Sequence, residues 1–277
     1  MTPLMSISEL IDATQSGSDI IILDCRSDLT NRDNAIHLYQ TGHIPGAIHA
    51  HLEDDLSGPI IAGKTSRHPL PTQEAWQNTL RRWGIKKDST IVVYDQQNSM
   101  FAARAWWMLL WAGINNVKVL NGGLNAWLAA KQPLSTSMPT VAASSIEIEL
   151  KDWVITADQL LKLPVQILDA RALPRYAGET EPLDTKAGHI PGALNADFSV
   201  NLTENGYFQT PEILAQRFAR CDDQVVCYCG SGVTACHNIL AFAIAGRDIP
   251  KLYAGSWSEW ITDDTRPIAS GVEGIPL

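Results

Sequence analysis

The 277-residue sequence predicts an α/β protein built from two tandem, similar domains, each a mainly parallel sheet flanked by helices on both faces. Three observations carry that expectation. First, the chain repeats itself. "IIILDCRS" and then "TGHIPGAI" in residues 20–48 return as "QILDARAL" and then "AGHIPGAL" in residues 166–194. Asp24 and His43 thus find counterparts in Asp169 and His189 at a nearly constant offset, the mark of a duplication. Second, short β-branched runs alternate with helical segments, the pattern of parallel strands joined by crossover helices. Third, 277 residues are long for one compact domain and comfortable for two.

The elements follow in order. "SISELID" from Ser6 and "TADQLLK" from Thr156 each place Ser or Thr three residues before Glu or Gln, a capping box that opens a helix. A short strand and the His-Ile-Pro-Gly-Ala loop come next, and then a helix. "TIVVYDQQNSM" from Thr90 matches "QVVCYCGSGVT" from Gln224 as strand, loop and helix start. "KVLNGGLNAWL" from Lys118 matches "PKLYAGSWSEW" from Pro250 as strand, glycine-containing turn and final helix. The stretch 131–145 is rich in Pro, Ser and Thr and suits a linker. The expected organisation is a first domain over 1–134, a linker over 135–150 and a second domain over 151–277.

Composition narrows the function classes. Forty-five percent apolar and 18% charged residues are ordinary for a globular chain. A net charge of −9 argues against nucleic acid or an anionic membrane surface as partner, while leaving room for a small anion at a local site. The apolar run Ala105–Ile114 is about half the length that spans a bilayer, and no basic-then-apolar segment opens the chain. Five cysteines, an odd number, are not a disulfide framework, so a reducing cytoplasm is the expected location. Cys227 and Cys229 have no second pair to complete a metal site, so neither metal nor cofactor is expected.

The two halves differ where chemistry would sit. Alignment on the second strand sets Asp95 opposite Cys229, and ligands of open α/β sheets bind beyond the carboxyl ends of the strands. Gly230 and Gly232 allow successive amide N–H groups to curl toward the sulfur, and a helix starting near Thr234 adds its positive end. Such a loop suits a nucleophilic thiolate and, equally, a persulfide anion. Cys25, Cys227 and Cys236 read as packing, as do the tryptophans at 106, 107, 111 and 127.

With "GHIPGA" in both halves, "RAWWML" from Arg104, "NGGLNAW" from Asn121, "CGSGVTACH" from Cys229 and "GSWSEW" from Gly255, the chain resembles the two-domain rhodanese-like sulfurtransferases over nearly its whole length. The loop Cys229–Thr234 is similar to that of the 3-mercaptopyruvate sulfurtransferase branch; thiosulfate-preferring relatives carry Arg and Lys where this chain has Gly230 and Ser231. The resemblance implies that Cys229 takes sulfur from a small anionic donor as a persulfide. A thiol such as thioredoxin or a low-molecular-weight thiol, or cyanide, would then accept it, in a monomer without cofactor. It implies Ser231 as proton relay, continued by His43 and Asp33, and Arg175 as holder of the substrate carboxylate. Gly230, Gly232, Val233, Thr234 and Lys186 would complete the donor site.

Two departures accompany the resemblance. Asp184 stands where a second carboxylate-binding arginine is usual, nine residues after Arg175, and Ala254 stands where Asp is common. Thiosulfate sulfurtransferase and a persulfide relay protein are therefore the alternative readings. A phosphatase of the same fold would need a loop one residue longer and closed by arginine, where this chain has Ala235.

Overall fold

The computed structural model describes residues 2–29 and 31–277. The chain forms two compact units. One comprises Met1–Gly58, Pro71–Lys151 and Glu204–Phe208; the other comprises Pro59–Leu70, Asp152–Thr203 and Gln209–Leu277. Each unit thus borrows a short segment from the other half of the sequence.

In the first unit the order is β1 (Leu4–Met5), α1 (Ile7–Gln15), β2 (Ile20–Asp24), α2 (Arg32–Thr41), β3 (Ile48–His49), α3 (Gln73–Arg82), β4 (Thr90–Tyr94), α4 (Met100–Trp111), β5 (Val117–Leu120) and α5 (Gly123–Ala129). The strands pair in parallel in the order β1-β5-β4-β2-β3. The second unit runs α6 (Ala157–Leu160), β6 (Gln166–Asp169), α7 (Leu173–Tyr176), β7 (Ala193–Asn195), a 3₁₀ turn (Phe198–Asn201), α8 (Pro211–Arg217), β8 (Val225–Tyr228), α9 (Thr234–Ile244), β9 (Lys251–Leu252) and α10 (Ser256–Trp260). Its strands are also parallel, in the order β7-β6-β8-β9. The α/β repeat architecture expected from the sequence is the one observed.

Local chemistry accounts for the element starts. Ser6 and Glu9 form the reciprocal capping box of α1, and Thr156 and Gln159 form that of α6. The central strands β4 and β8 are almost wholly buried, which is why they are apolar runs and do not alternate. No helix among the described residues is long and apolar enough to cross a membrane.

The repeated motif has one physical job in both units. The Asp24 carboxylate is gripped by the Arg26 guanidinium (Nη2 to Oδ2 2.6 Å), which also donates to the carbonyl of Gly42 at 2.7 Å. Arg171 does the same to Asp169 (2.6 Å) and to the carbonyl of Gly188 (2.7 Å). The Tyr94 and Tyr228 hydroxyls accept the N–H groups of Ile44 and Ile190, each at 3.1 Å. A buried ion pair thereby fixes the strand end to the His-Ile-Pro-Gly-Ala turn.

The segment expected to link the domains is held along the first unit. Ser144 N–H donates to the carbonyl of Arg81 at 2.9 Å, Arg81 Nε to that of Ile146 at 2.9 Å, and Ile148 N–H to Gln77 Oε1 at 3.0 Å. Ile146 and Ile148 are buried. The stretch from Ser144 to Ile148 is thus tied down by paired backbone groups, unlike a free linker.

Candidate active site

Cys229 lies at the carboxyl end of β8, buried, followed by a turn into α9. Gly232 has φ +85°, a conformation that costs a residue with Cβ, and its N–H donates to Cys229 Sγ at 3.1 Å. A Cβ at Gly232 would lie 2.6 Å from the carbonyl oxygen of Ala254, so the neighbouring backbone also demands glycine. Val233 caps α9 and Thr234 is its first residue, so that helix starts five residues after Cys229.

The motif "GSWSEW" acts as a bracket for this loop. Ser256, in the left-handed region at φ 54°, accepts the Cys229 N–H on its hydroxyl at 3.1 Å and donates that hydroxyl to the carbonyl of Tyr253 at 2.9 Å. The N–H groups of Trp257 and Ser258 donate to the carbonyls of Cys229 and Gly230, both at 2.9 Å. With the carbonyls pulled to one side, the loop is free to turn N–H groups toward the sulfur.

The first unit contains the same bracket around a carboxylate. Leu124 and Asn125 N–H groups hold the carbonyls of Asp95 and Gln96 at 2.9 and 3.0 Å. The Asp95 carboxylate then accepts N–H groups from Gln97 (3.2 Å), Ser99 (2.9 Å), Phe101 (2.9 Å) and Ala102 (3.3 Å). The loop is an anion cradle that this unit fills with its own side chain, and burial still holds that carboxyl above the usual carboxylate range. Burial also pushes the thiols of Cys25, Cys221 and Cys227 up.

Ser231 Oγ lies 2.8 Å from Nδ1 of His68, and both side chains are buried. The histidine beside the Ser231 hydroxyl is therefore His68, not the expected His43. The His43 ring stacks on Tyr39 at 4.0 Å and faces the carbonyls of Tyr39 (Nδ1, 2.9 Å) and Ser137 (Nε2, 3.2 Å). His189 has the same arrangement on Tyr176, at 3.9 Å, with Nδ1 2.9 Å from the Tyr176 carbonyl. Repetition of "GHIPGA" thus serves the turn. Asp33 lies exposed in the first turn of α2, where its N–H is capped by Asn31.

Arg175, on α7, places its guanidinium near Gly230. It donates to Glu181 (Nη2 to Oε1, 2.7 Å) and to Asp184 (Nη2 to Oδ2, 3.3 Å). A second guanidinium joins it: Arg67 pairs with Asp184, and its backbone N–H donates to Ser258 Oγ at 3.2 Å. Burial raises the Asp184 carboxyl above its ordinary range, against the opposing pull of Arg67 and Arg175. Lys186 is engaged elsewhere, with its ammonium on the carbonyl of Ile261 (3.2 Å) and the carboxylate of Asp264.

Sequence reasoning missed Arg67 and His68. The signal available was length: residues 50–72 carry neither helical nor strand periodicity, and a loop that long inside a compact repeat is commonly functional. Nothing local showed that its Arg-His-Pro segment belongs with the second unit.

The rhodanese-like domain family matches residues 6–130 and 155–263. A Pseudomonas aeruginosa protein named "Probable 3-mercaptopyruvate sulfurtransferase" is 46% identical over 96% of this chain and 100% of its own length. A Mycobacterium tuberculosis protein whose name carries thiosulfate sulfurtransferase, SseB, is 40% identical over 97% of each chain. Among solved structures, the Escherichia coli 3-mercaptopyruvate sulfotransferase SseA superposes with a TM-score of 0.80 at 31% identity, covering 94% of this chain and 100% of that one. With two matched domains, and a cysteine cradle in one of them where the other holds an aspartate, this chain belongs to the rhodanese-like family.

Proposed function

We propose that the protein is a sulfurtransferase that takes sulfur from 3-mercaptopyruvate onto Cys229 and passes it to a thiol acceptor. The observation that carries this reading is the hydroxyl of Ser231, hydrogen-bonded to His68, two residues from a sulfur that itself accepts an amide N–H. Attack of the Cys229 thiolate on the donor sulfur forms an S–S bond and breaks the donor's C–S bond, whose electron pair leaves as pyruvate enolate. That enolate needs a proton at carbon, and the proton carried by the donor's thiol group can supply it through Ser231 and His68. The persulfide anion left on Cys229 keeps the amide cradle. A thiolate acceptor then attacks the outer sulfur and releases Cys229 unchanged. A low-molecular-weight thiol, thioredoxin or cyanide has the chemistry to accept.

Thiosulfate sulfurtransferase is the second reading, favoured by the Mycobacterium tuberculosis relative. Sulfite leaves thiosulfate with its electron pair and needs no proton, so the Ser231–His68 pair has no evident task there. The test is to supply each donor with each acceptor, follow pyruvate and sulfite, and weigh the protein by mass spectrometry. Mercaptopyruvate should add one sulfur to Cys229, and Cys229→Ser should lose both that increment and turnover. A wild-type protein that gains no sulfur from either donor would end the reading.

A further inference from the structure

Two guanidinium groups converge on the Cys229 loop over Gly230. A Cβ built on Gly230 would lie 2.9 Å from Arg67 Nη2, and 3.4 and 3.6 Å from Arg175 Nη2 and Nη1. Both forks are anchored from behind. Arg67 uses Nη1 on Asp184, whereas Arg175 uses Nε (3.3 Å) and Nη2 (2.7 Å) on Glu181, with Nη2 also reaching Asp184 at 3.3 Å. Among the described residues, Arg67 Nη2 and Arg175 Nη1 make no hydrogen bond. Two ordered, planar donor groups therefore point at the residue beside the nucleophile with acceptors still to find.

The charges around them cancel. Arg171 grips Asp169 and touches Glu181 at 3.2 Å, so three guanidinium groups (Arg67, Arg171 and Arg175) face three carboxylates (Asp169, Glu181 and Asp184). A site of no net charge favours a ligand by hydrogen-bond geometry more than by field. A carboxylate accepts two parallel N–H bonds from such forks, whereas a dianion brings a second charge that the site does not offset.

We infer that Arg67 supplies the second half of a carboxylate clamp with Arg175, and that Asp184, by orienting Arg67 and cancelling one charge, makes the clamp select monocarboxylate donors over dianionic ones. This rests on the mercaptopyruvate reading. An arginine at position 184 would have supplied a cation from α7's own neighbourhood; here the cation comes instead from the segment Pro59–Leu70, and position 184 holds its counter-ion. Arg67 is thus a substrate-positioning residue, not a member of the proton relay.

The experiment measures kinetics with mercaptopyruvate and with thiosulfate, and binding of pyruvate and of sulfate by calorimetry, for wild type, Arg67→Gln, Arg67→Lys and Asp184→Asn. Pyruvate serves as the monocarboxylate probe and sulfate as the dianion. Arg67→Gln should weaken pyruvate binding, and raise KM for mercaptopyruvate, by about ten- to a hundredfold, with kcat changed less. Arg67→Lys should recover only part, because an ammonium lacks the fork. Asp184→Asn should shift the ratio of kcat/KM values toward thiosulfate, and affinity toward sulfate, by about tenfold. The inference is overturned if folded Arg67→Gln binds pyruvate as wild type does, or if Asp184→Asn leaves both ratios unchanged. Should Arg67→Gln not fold, Arg67→Lys and Asp184→Asn give the same reading. Wild type that takes sulfur from mercaptopyruvate while these variants bind normally would sink the clamp alone; wild type that takes no sulfur would sink the proposed function, and pyruvate binding would still judge the clamp.

Discussion

Replacing Gly232 by alanine tests whether backbone geometry aims the loop at sulfur. Gly232 sits at φ +85°, where a residue with Cβ costs about 1–2 kcal/mol. The new Cβ would also lie 2.6 Å from the Ala254 carbonyl oxygen and 3.3 Å from the carbon atoms next to it. Those are backbone atoms held by the α10 bracket, so the overlap is relieved only by moving the segment, at about 1–3 kcal/mol. The sum, about 3 kcal/mol, corresponds to a fall in Tm of roughly 6–12 °C for a chain of this size. Because the same residue donates the N–H that reaches Cys229 Sγ at 3.1 Å, sulfur loading should slow as well.

Gly230→Ala is the matched control. Its φ is not left-handed, and the three atoms nearest its Cβ are side-chain ends of Arg67 and Arg175, not backbone. It should melt at or slightly above the wild-type temperature, since alanine restricts the unfolded chain, yet raise KM for the donor. The assay is thermal unfolding together with the rate of persulfide formation. If Gly232→Ala melts with wild type and loads sulfur at the same rate, the positive-φ turn is not what places that amide.

Three further outcomes follow from the geometry. Ser231→Ala and His68→Asn should each lower kcat with mercaptopyruvate by about 10²–10⁴-fold, and lower it far less with thiosulfate, as read from pyruvate and sulfite release. Asp95→Asn presents an amide NH₂ to a cradle of four N–H donors and should cost about 3 kcal/mol in urea unfolding, the scale of losing buried charge-assisted hydrogen bonds. Burial raises the Asp184 carboxyl, so the folded state holds that proton more tightly than the unfolded chain. Its contribution favours folding at low pH and is lost as pH rises from the ordinary carboxylate value through the raised folded one. Stability of wild type relative to Asp184→Asn, measured by urea unfolding from pH 4 to 7, should therefore fall across that window; a flat difference would contradict it.

Much of the architecture was legible because it is written in local chemistry. Capping boxes at Ser6 and Thr156, apolar strand runs and the doubled "GHIPGA" each depend on residues near one another in sequence. Cys229 was legible for the same reason, since strand end, glycine turn and helix start are contiguous. His43 misled because a repeated histidine beside a turn looks alike whether it relays protons or packs on Tyr39. His68 was hidden because nothing within its own segment marks which hydroxyl it will meet.

The sequence by itself determined the duplication, the order of elements and the position of the thiol, because hydrophobic period, caps and turn glycines act over a few residues. Tertiary structure alone decided the company that thiol keeps. His68 and Arg67 lie more than 160 residues before Ser231 and Ser258, the partners they contact. Asp184 changed from a missing cation to a counter-ion only once Arg67 was beside it. Such pairings form because a buried hydroxyl, carboxylate or guanidinium must find a partner somewhere, and the fold, not the neighbouring sequence, decides which is within reach.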